Sequence, residues 1–162
     1  MGKLIRRNVF ETNSSNTHSI TFCSKDDYDK WEDGELLYSP YIDKYVKNDE
    51  KALDDYYRRM FIKRESHVDW ENKAVTFNGY TEYYKDDYDW NTAIERLCTE
   101  KNLNSITSEE LEEFKDYLDV YDRLLTQDEY FEDYCEGYDT YEESYTTKNG
   151  DEIVAFGYYG HD

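Results

Sequence analysis

Glu143-Ser144-Tyr145-Thr146-Thr147-Lys148-Asn149-Gly150-Asp151-Glu152-Ile153-Val154-Ala155-Phe156 is the stretch that decides the fold. Its two arms are rich in β-branched and aromatic residues, which suit a pleated, half-buried surface. Between them, Asn149-Gly150 supplies the positive φ that a two-residue hairpin loop requires. Two antiparallel strands joined at that turn are expected.

The other end of the chain repeats the pattern. Leu4-Ile5 and Val9-Phe10 precede a polar run, Thr12-Asn13-Ser14-Ser15-Asn16, and Ser19-Ile20-Thr21-Phe22-Cys23 follows it. A second hairpin is expected there.

Between the hairpins the period becomes helical. Ser24 is placed to cap a short helix running through Trp31, with Asp26 and Asp27 in its first turn and Gly34 as its stop; Glu35-Leu36-Leu37-Tyr38 then returns to extended structure. Leu53, Tyr56, Tyr57, Met60 and Phe61 recur at helical intervals, as do Trp90, Ile94, Leu97 and Cys98, which places Cys98 in a core-facing stripe. Ala74-Val75-Thr76-Phe77 before Asn78-Gly79 reads as a strand ending in a tight turn. Thr107 or Ser108 caps a helix carrying Leu111, Phe114, Leu118 and Tyr121, and a further helix is expected from about Thr126 to Glu136, with Gly137 as its stop. The whole predicts an α+β fold: a single domain over residues 1–162, in which a small antiparallel sheet joins the N- and C-terminal hairpins and packs with several amphipathic helices.

Composition narrows the function classes. Asp plus Glu number 39 against 19 Lys plus Arg, a formal net charge of -20. That disfavours direct binding to nucleic acid or to an anionic membrane and favours a basic protein partner. The 19 Tyr, 7 Phe and 3 Trp supply the core that such an acidic chain would otherwise lack. A halophile's surface is a poor match, because 12 of the 19 cations are Lys. No apolar run approaches the ~18 residues of a membrane span, and Met1 to Glu11 lacks the pattern of a signal peptide, so a cytoplasmic location is expected. Cys23, Cys98 and Cys135 are odd in number and widely spaced, as free thiols would be.

The charge is not spread evenly. Residues 107 to 145 hold fifteen carboxylates against Lys115 and Arg123, a net of -13. On a helix, carboxylates three or four positions apart stand about 5–6 Å apart. Glu109, Glu112, Glu113 and Asp116 have that spacing, and so do Asp128, Glu129, Glu132, Asp133 and Glu136. Their oxygens would form rows resembling a phosphate backbone to a basic groove. Tyr121, Tyr130, Tyr134, Tyr138, Tyr141 and Tyr145, interleaved with them, add rigid amphipathic area of the kind enriched at interface hot spots, with Tyr130, Tyr134 and Tyr138 expected at the contact. The same pattern also fits a merely solvated face, with part of the tyrosines in the core.

Two smaller constellations carry other chemistry. His18 and Cys23 are of the ligand types that zinc prefers, but their five-residue separation puts them on opposite faces of a regular strand, so a shared ion needs a bulge. No CxxC or HxxxH pair selects further ligands from His67, Cys98, Cys135 and His161. Ser14, Ser15 and His18, near Glu11, hold the groups of nucleophilic catalysis without a nucleophile-elbow glycine pattern. Hydroxyls in such a run hold turns through side-chain to backbone bonds, so no catalytic residue is assigned.

The opening Arg7-Asn8-Val9-Phe10-Glu11-Thr12-Asn13-Ser14-Ser15-Asn16-Thr17-His18-Ser19-Ile20 and the ending Asn149 to Gly160 resemble a group of small uncharacterised proteins carried by phages and mobile elements of low-GC Gram-positive bacteria. The resemblance implies a mobile-element setting. In that setting a small acidic protein looks like an anti-CRISPR inhibitor of Cas9, whose guide and target lie in positively charged channels. The expectation is therefore a non-enzymatic inhibitor that binds a basic nucleic-acid-handling protein and blocks DNA loading, with no cofactor required. The alternative is a zinc-stabilised structural or regulatory module of a mobile element, with His18 and Cys23 as ligands.

Overall fold

A computed structural model describes the backbone of residues 5–12 and 16–161 and the side chains of residues 18–160. In chain order the elements are β1 (Ile5–Thr12), β2 (Asn16–Ser24), α1 (Lys25–Glu32), β3 (Leu36–Ser39), β4 (Lys44–Lys47), α2 (Glu50–Glu65), β5 (His67–Asp69), β6 (Ala74–Phe77), β7 (Tyr80–Tyr83), α3 (Asp87–Leu97), α4 (Glu100–Ser105), α5 (Ser108–Asp116), α6 (Gln127–Glu129), a π-helical turn (Tyr130–Tyr134), β8 (Asp139–Thr146) and β9 (Glu152–His161). The class is α+β, as the sequence predicts. The residues group into two compact units, one built from the chain up to Asn48 and from Leu118 onward, the other from Asp49–Tyr117. Among the described residues no helix is long and apolar enough to cross a membrane.

In the first unit the two terminal hairpins join. The sheet runs β1-β2-β9-β8, with β2 against β9 in unbroken antiparallel register from Asn16↔His161 to Ser24↔Ile153. Alternation then decides which residues face the core. Ser19, Thr21 and Cys23 of β2 are buried, while His18, Ile20 and Phe22 between them are half-buried on the other face. Helix α1 starts as predicted, with Ser24 Oγ accepting from Asp27 N at 3.1 Å, and covers the core face. Its Trp31, 1% exposed, is ringed by Tyr28, Tyr38, Tyr45, Tyr130, Phe131 and Phe156 at centroid distances of 5.1 to 6.0 Å. Trp31 Nε1 donates to the Leu125 carbonyl at 3.0 Å, so the largest ring of the core leaves no buried donor unpaired.

The second unit packs β5-β6-β7 and the helices α2 to α5 around Ile62, Val75, Ile94 and Leu97. Arg58 of α2 ties the end of α4 down: its Nη1 donates to the carbonyls of Leu103 at 2.8 Å and Ile106 at 2.6 Å, and its Nε to Asp54 at 2.8 Å. Cys98, the C-cap of α3, is half-buried and packs against this core at the end of the expected stripe.

The two Asn-Gly dipeptides fold differently. Asn78 (φ 49°) and Gly79 (φ 83°) are both left-handed between the paired Phe77 and Tyr80, the expected two-residue turn. At Asn149-Gly150 only the glycine is left-handed, at φ 88°. Thr147 N donates to Asp151 O at 2.8 Å and Gly150 N to Thr147 O at 2.9 Å, which closes a three-residue loop over 148–150 instead of the two-residue loop predicted. Thr147 Oγ1 accepts from Asp151 N at 3.1 Å and fixes the longer form, a type of hairpin that needs just one left-handed residue.

Candidate functional site

Helix α5 forms because Thr107 and Glu110 cap it reciprocally: Glu110 N donates to Thr107 Oγ1 at 3.1 Å and Thr107 N to Glu110 Oε2 at 2.9 Å. Leu111 is buried and Phe114 half-buried, so the remaining positions turn outward. Glu109, Glu112, Glu113 and Asp116 are all exposed. Glu112 accepts from Lys115 Nζ at 3.2 Å.

The second acidic group lies in the other unit and is not an α-helix. After the three residues of α6 the chain widens: Cys135 N donates to Tyr130 O at 3.0 Å, a five-residue step. The widened turn packs on the core. Tyr130 and Phe131, adjacent in sequence, both reach the core, and Tyr134 stacks on Tyr130 at 5.3 Å with 21° between planes. The regular row of carboxylates predicted over Thr126 to Glu136 is therefore broken by the inserted residue. Asp128, Glu132, Asp133 and Glu136 remain exposed.

Two of the expected contact residues serve the fold instead. Glu129 is the third residue of a capping box, its Oε1 accepting from Thr126 N at 2.9 Å. Tyr130 is 2% exposed at the centre of the core, and a partner cannot reach it. Tyr134 and Tyr138 are half-buried: Tyr134 carries the ring contacts outward from Tyr130 to Tyr121 at 5.4 Å, and Tyr138 packs on Tyr158 at 5.1 Å. Rings that do face solvent in this unit include Tyr121, Tyr145 and Tyr159, 60%, 48% and 46% exposed. Tyr121 and Tyr145 are among the tyrosines that interleave with the acids in sequence, but spacing alone does not separate them from the buried Tyr130, because tyrosine is equally at home in core and surface.

The strand β8 carries the acidic surface onward. All of its residues except Tyr141 are exposed, Glu142 and Glu143 among them, and it forms an edge of the sheet. Tyr28 Oη donates to Glu142 Oε2. Burial, then the carboxylate itself, push the Tyr28 phenol well above its ordinary value, so it stays protonated and holds Glu142 in place.

His18 and Cys23 do not meet. The β2–β9 register has no bulge between them; the irregularity in this sheet falls in β1, between Arg7 and Val9. Cys23 is buried in the core with its thiol 3.5 Å from Tyr45 Oη, and burial pushes that thiol up to about 11. His18 lies on the opposite face, 3.4 Å from Tyr141 Oη through Nε2 and beside Tyr159. Among the described residues no group of three His, Cys, Asp or Glu is arranged to hold a metal ion. Ser14 and Ser15, and the side chains of Glu11 and His161, lie outside the described residues. Comparison with protein-family models, with curated proteins and with solved structures gave no match.

Proposed function

We propose that this chain is a protein-binding inhibitor of the anti-CRISPR kind, which sets exposed carboxylates and tyrosines against the basic nucleic-acid channel of a bacterial protein such as Cas9 and keeps DNA out. One observation carries the reading. Each unit turns its own run of carboxylates to solvent, Glu109, Glu113 and Asp116 on α5 in one and Asp128, Glu132, Asp133 and Glu136 in the other, and residues 107–145 offer only Lys115 and Arg123 as cations. Such crowding of like charge opposes the compact state, and solubility does not require it. Acidic runs that are costly to the fold and complementary to a polycation are what a charge-steered inhibitor needs. It acts without catalysis and needs no cofactor, in the cytoplasm of a bacterial host.

The test is capture of Cas9 by the immobilised full chain at low and at high salt, with DNA loading followed in parallel. Capture at low salt that fades as salt rises, with DNA excluded from the captured protein, is the expected result. No capture in either condition ends the proposal.

A further inference from the structure

Strand β8 is the last of its sheet, and every second backbone unit along it points off the edge. Thr147 N donates to Asp151 O at 2.8 Å, which turns Thr147 towards β9. The ladder runs on from there without a break, from Thr146↔Glu152 to Asp139↔Tyr159, and in antiparallel pairing the backbone groups face the partner at alternate residues. Tyr145, Glu143, Tyr141 and Asp139 therefore bond β9, whereas the N–H and C=O of Thr146, Ser144, Glu142 and Thr140 point away from the sheet. These four residues are exposed, and among the described residues their backbones take no backbone bond from another segment. The opposite edge differs: the β1 ladder is interrupted by a bulge between Arg7 and Val9, a device that keeps foreign strands off an edge. β8 carries no bulge, proline or lysine. Its charges are Asp139, Glu142 and Glu143, and alternation sets them on both faces of the strand. Glu143 accepts from Tyr145 Oη at 2.6 Å on one face, and Glu142 accepts from Tyr28 of α1 on the other.

These acids decide what the edge can take. Joining two copies of β8 antiparallel about their centres sets Glu142 against Glu142 or Glu143 against Glu143, and like charges directly opposite destabilise a ladder. The β1 edge of a second copy fits no better, because its bulge breaks the register that β8 keeps. We propose that β8 is a strand-addition site for an extended basic segment of the protein partner. The segment bonds the free backbone groups of Thr140, Glu142, Ser144 and Thr146, and its Lys or Arg side chains stand beside Glu142 on one face and Glu143 on the other. Backbone bonds supply attachment whatever the incoming sequence, while the cross-strand charge pairs select its composition. This assignment rests on the proposed function, whose basic partner it furnishes with a mode of attachment.

The experiment is an NMR titration of the isotope-labelled full chain with a capped peptide the length of β8, alternating Arg and Thr. Comparators are a Glu–Thr peptide, and the Arg–Thr peptide N-methylated on adjacent central residues, which keeps its charge and loses a donor on either edge. The Arg–Thr peptide should slow hydrogen exchange severalfold at the amides of Thr140, Glu142, Ser144 and Thr146, in that alternating pattern. The N-methylated peptide should bind severalfold more weakly, and the Glu–Thr peptide should leave exchange unchanged. Because the Ser144 N–H points off the sheet, Ser144→Pro keeps the β8–β9 bonds, a place where an edge strand tolerates proline. That variant should weaken the Arg–Thr peptide about fivefold, the worth of one hydrogen bond. Should it fail to fold, the N-methylated peptide still carries the test on the unaltered chain. Equal binding of the methylated and unmethylated peptides, or exchange slowed on α5 instead of β8, would overturn the strand-addition site. Capture of Cas9 without any protection of β8 would refute the site and leave the proposed function standing. Protection of the alternate amides together with failure to capture Cas9 would refute the named partner and leave the site.

Discussion

Tyr141 donates its phenol to the carbonyl of Ser19 at 2.7 Å, directly over Gly157. A Cβ on Gly157 would lie 1.9 Å from that carbonyl oxygen and 2.9 Å from Tyr141 Oη. The first of these is backbone in the paired strand β2, which cannot step aside without opening the sheet. Gly157→Ala is therefore expected to destabilise the first unit by about 3 kcal/mol or more, the range of severe overpacking. Tyr141→Phe removes only the bond and should cost about 1 kcal/mol. Urea unfolding followed by circular dichroism ranks the two variants, and an alanine at 157 that costs no more than the phenylalanine at 141 would contradict the close approach.

The second unit has its own core around Ile62, Val75, Ile94 and Leu97, and both Trp70 and Trp90 lie within it. Its residues run continuously from Asp49 to Tyr117. The fragment 49–117 should accordingly fold alone, with a small but cooperative thermal transition, because a domain of about 60 residues is marginal yet viable. Its measure is the tryptophan emission of the fragment: a fully solvent-exposed spectrum, with a non-cooperative melt, would show that the unit depends on the rest of the chain.

Alkali should unfold the protein through its thiols and phenols. Burial pushes Cys23 and Cys98 up to about 11 and Cys135 up to about 12, from an ordinary 9.0, and raises Tyr28, Tyr45 and Tyr130 as well. The folded chain holds these protons more tightly than the unfolded one. The associated stability is fully present below about pH 9 and is lost as pH climbs towards 11 to 12, since only the unfolded chain releases protons in that window. The share of the tyrosinate absorbance that belongs to the buried phenols should rise only in step with loss of circular dichroism. Complete phenol titration near pH 10 with the fold intact would contradict the burial.

Much of this architecture is legible in the sequence because local chemistry and the fold agree. Ser24 and Thr107 cap where their side chains predict, Asn78-Gly79 turns as expected, and the two terminal hairpins share one sheet. The misses occur where tertiary packing selects among local options. Tyr130 is in the core with Phe131 packed against it, and the π-helical turn that carries them spoils an α-helical row of acids that spacing alone supports. Glu129 looks like surface charge and is a cap. The bond between Tyr28 and Glu142 joins residues more than a hundred positions apart, and no window of sequence contains it.

That division of the acids between cap and surface gives the sharpest separation of stability from binding. Glu129 accepts from the Thr126 backbone, whereas Glu132, Asp133 and Glu136 are exposed on the same stretch. Removing the cap with Glu129→Ala should cost about 1 kcal/mol of stability, the usual worth of a helix cap. The triple change Glu132→Gln, Asp133→Asn and Glu136→Gln relieves like-charge repulsion and should leave stability unchanged or raised, more so at low salt. Partner capture should respond in the opposite sense: retained by the cap variant while it stays folded, and weakened by the triple variant with a shallower salt dependence. Parallel urea unfolding and capture measurements on the two variants decide the matter. A triple variant that captures Cas9 as well as the parent would return those carboxylates to the role of a solvated face.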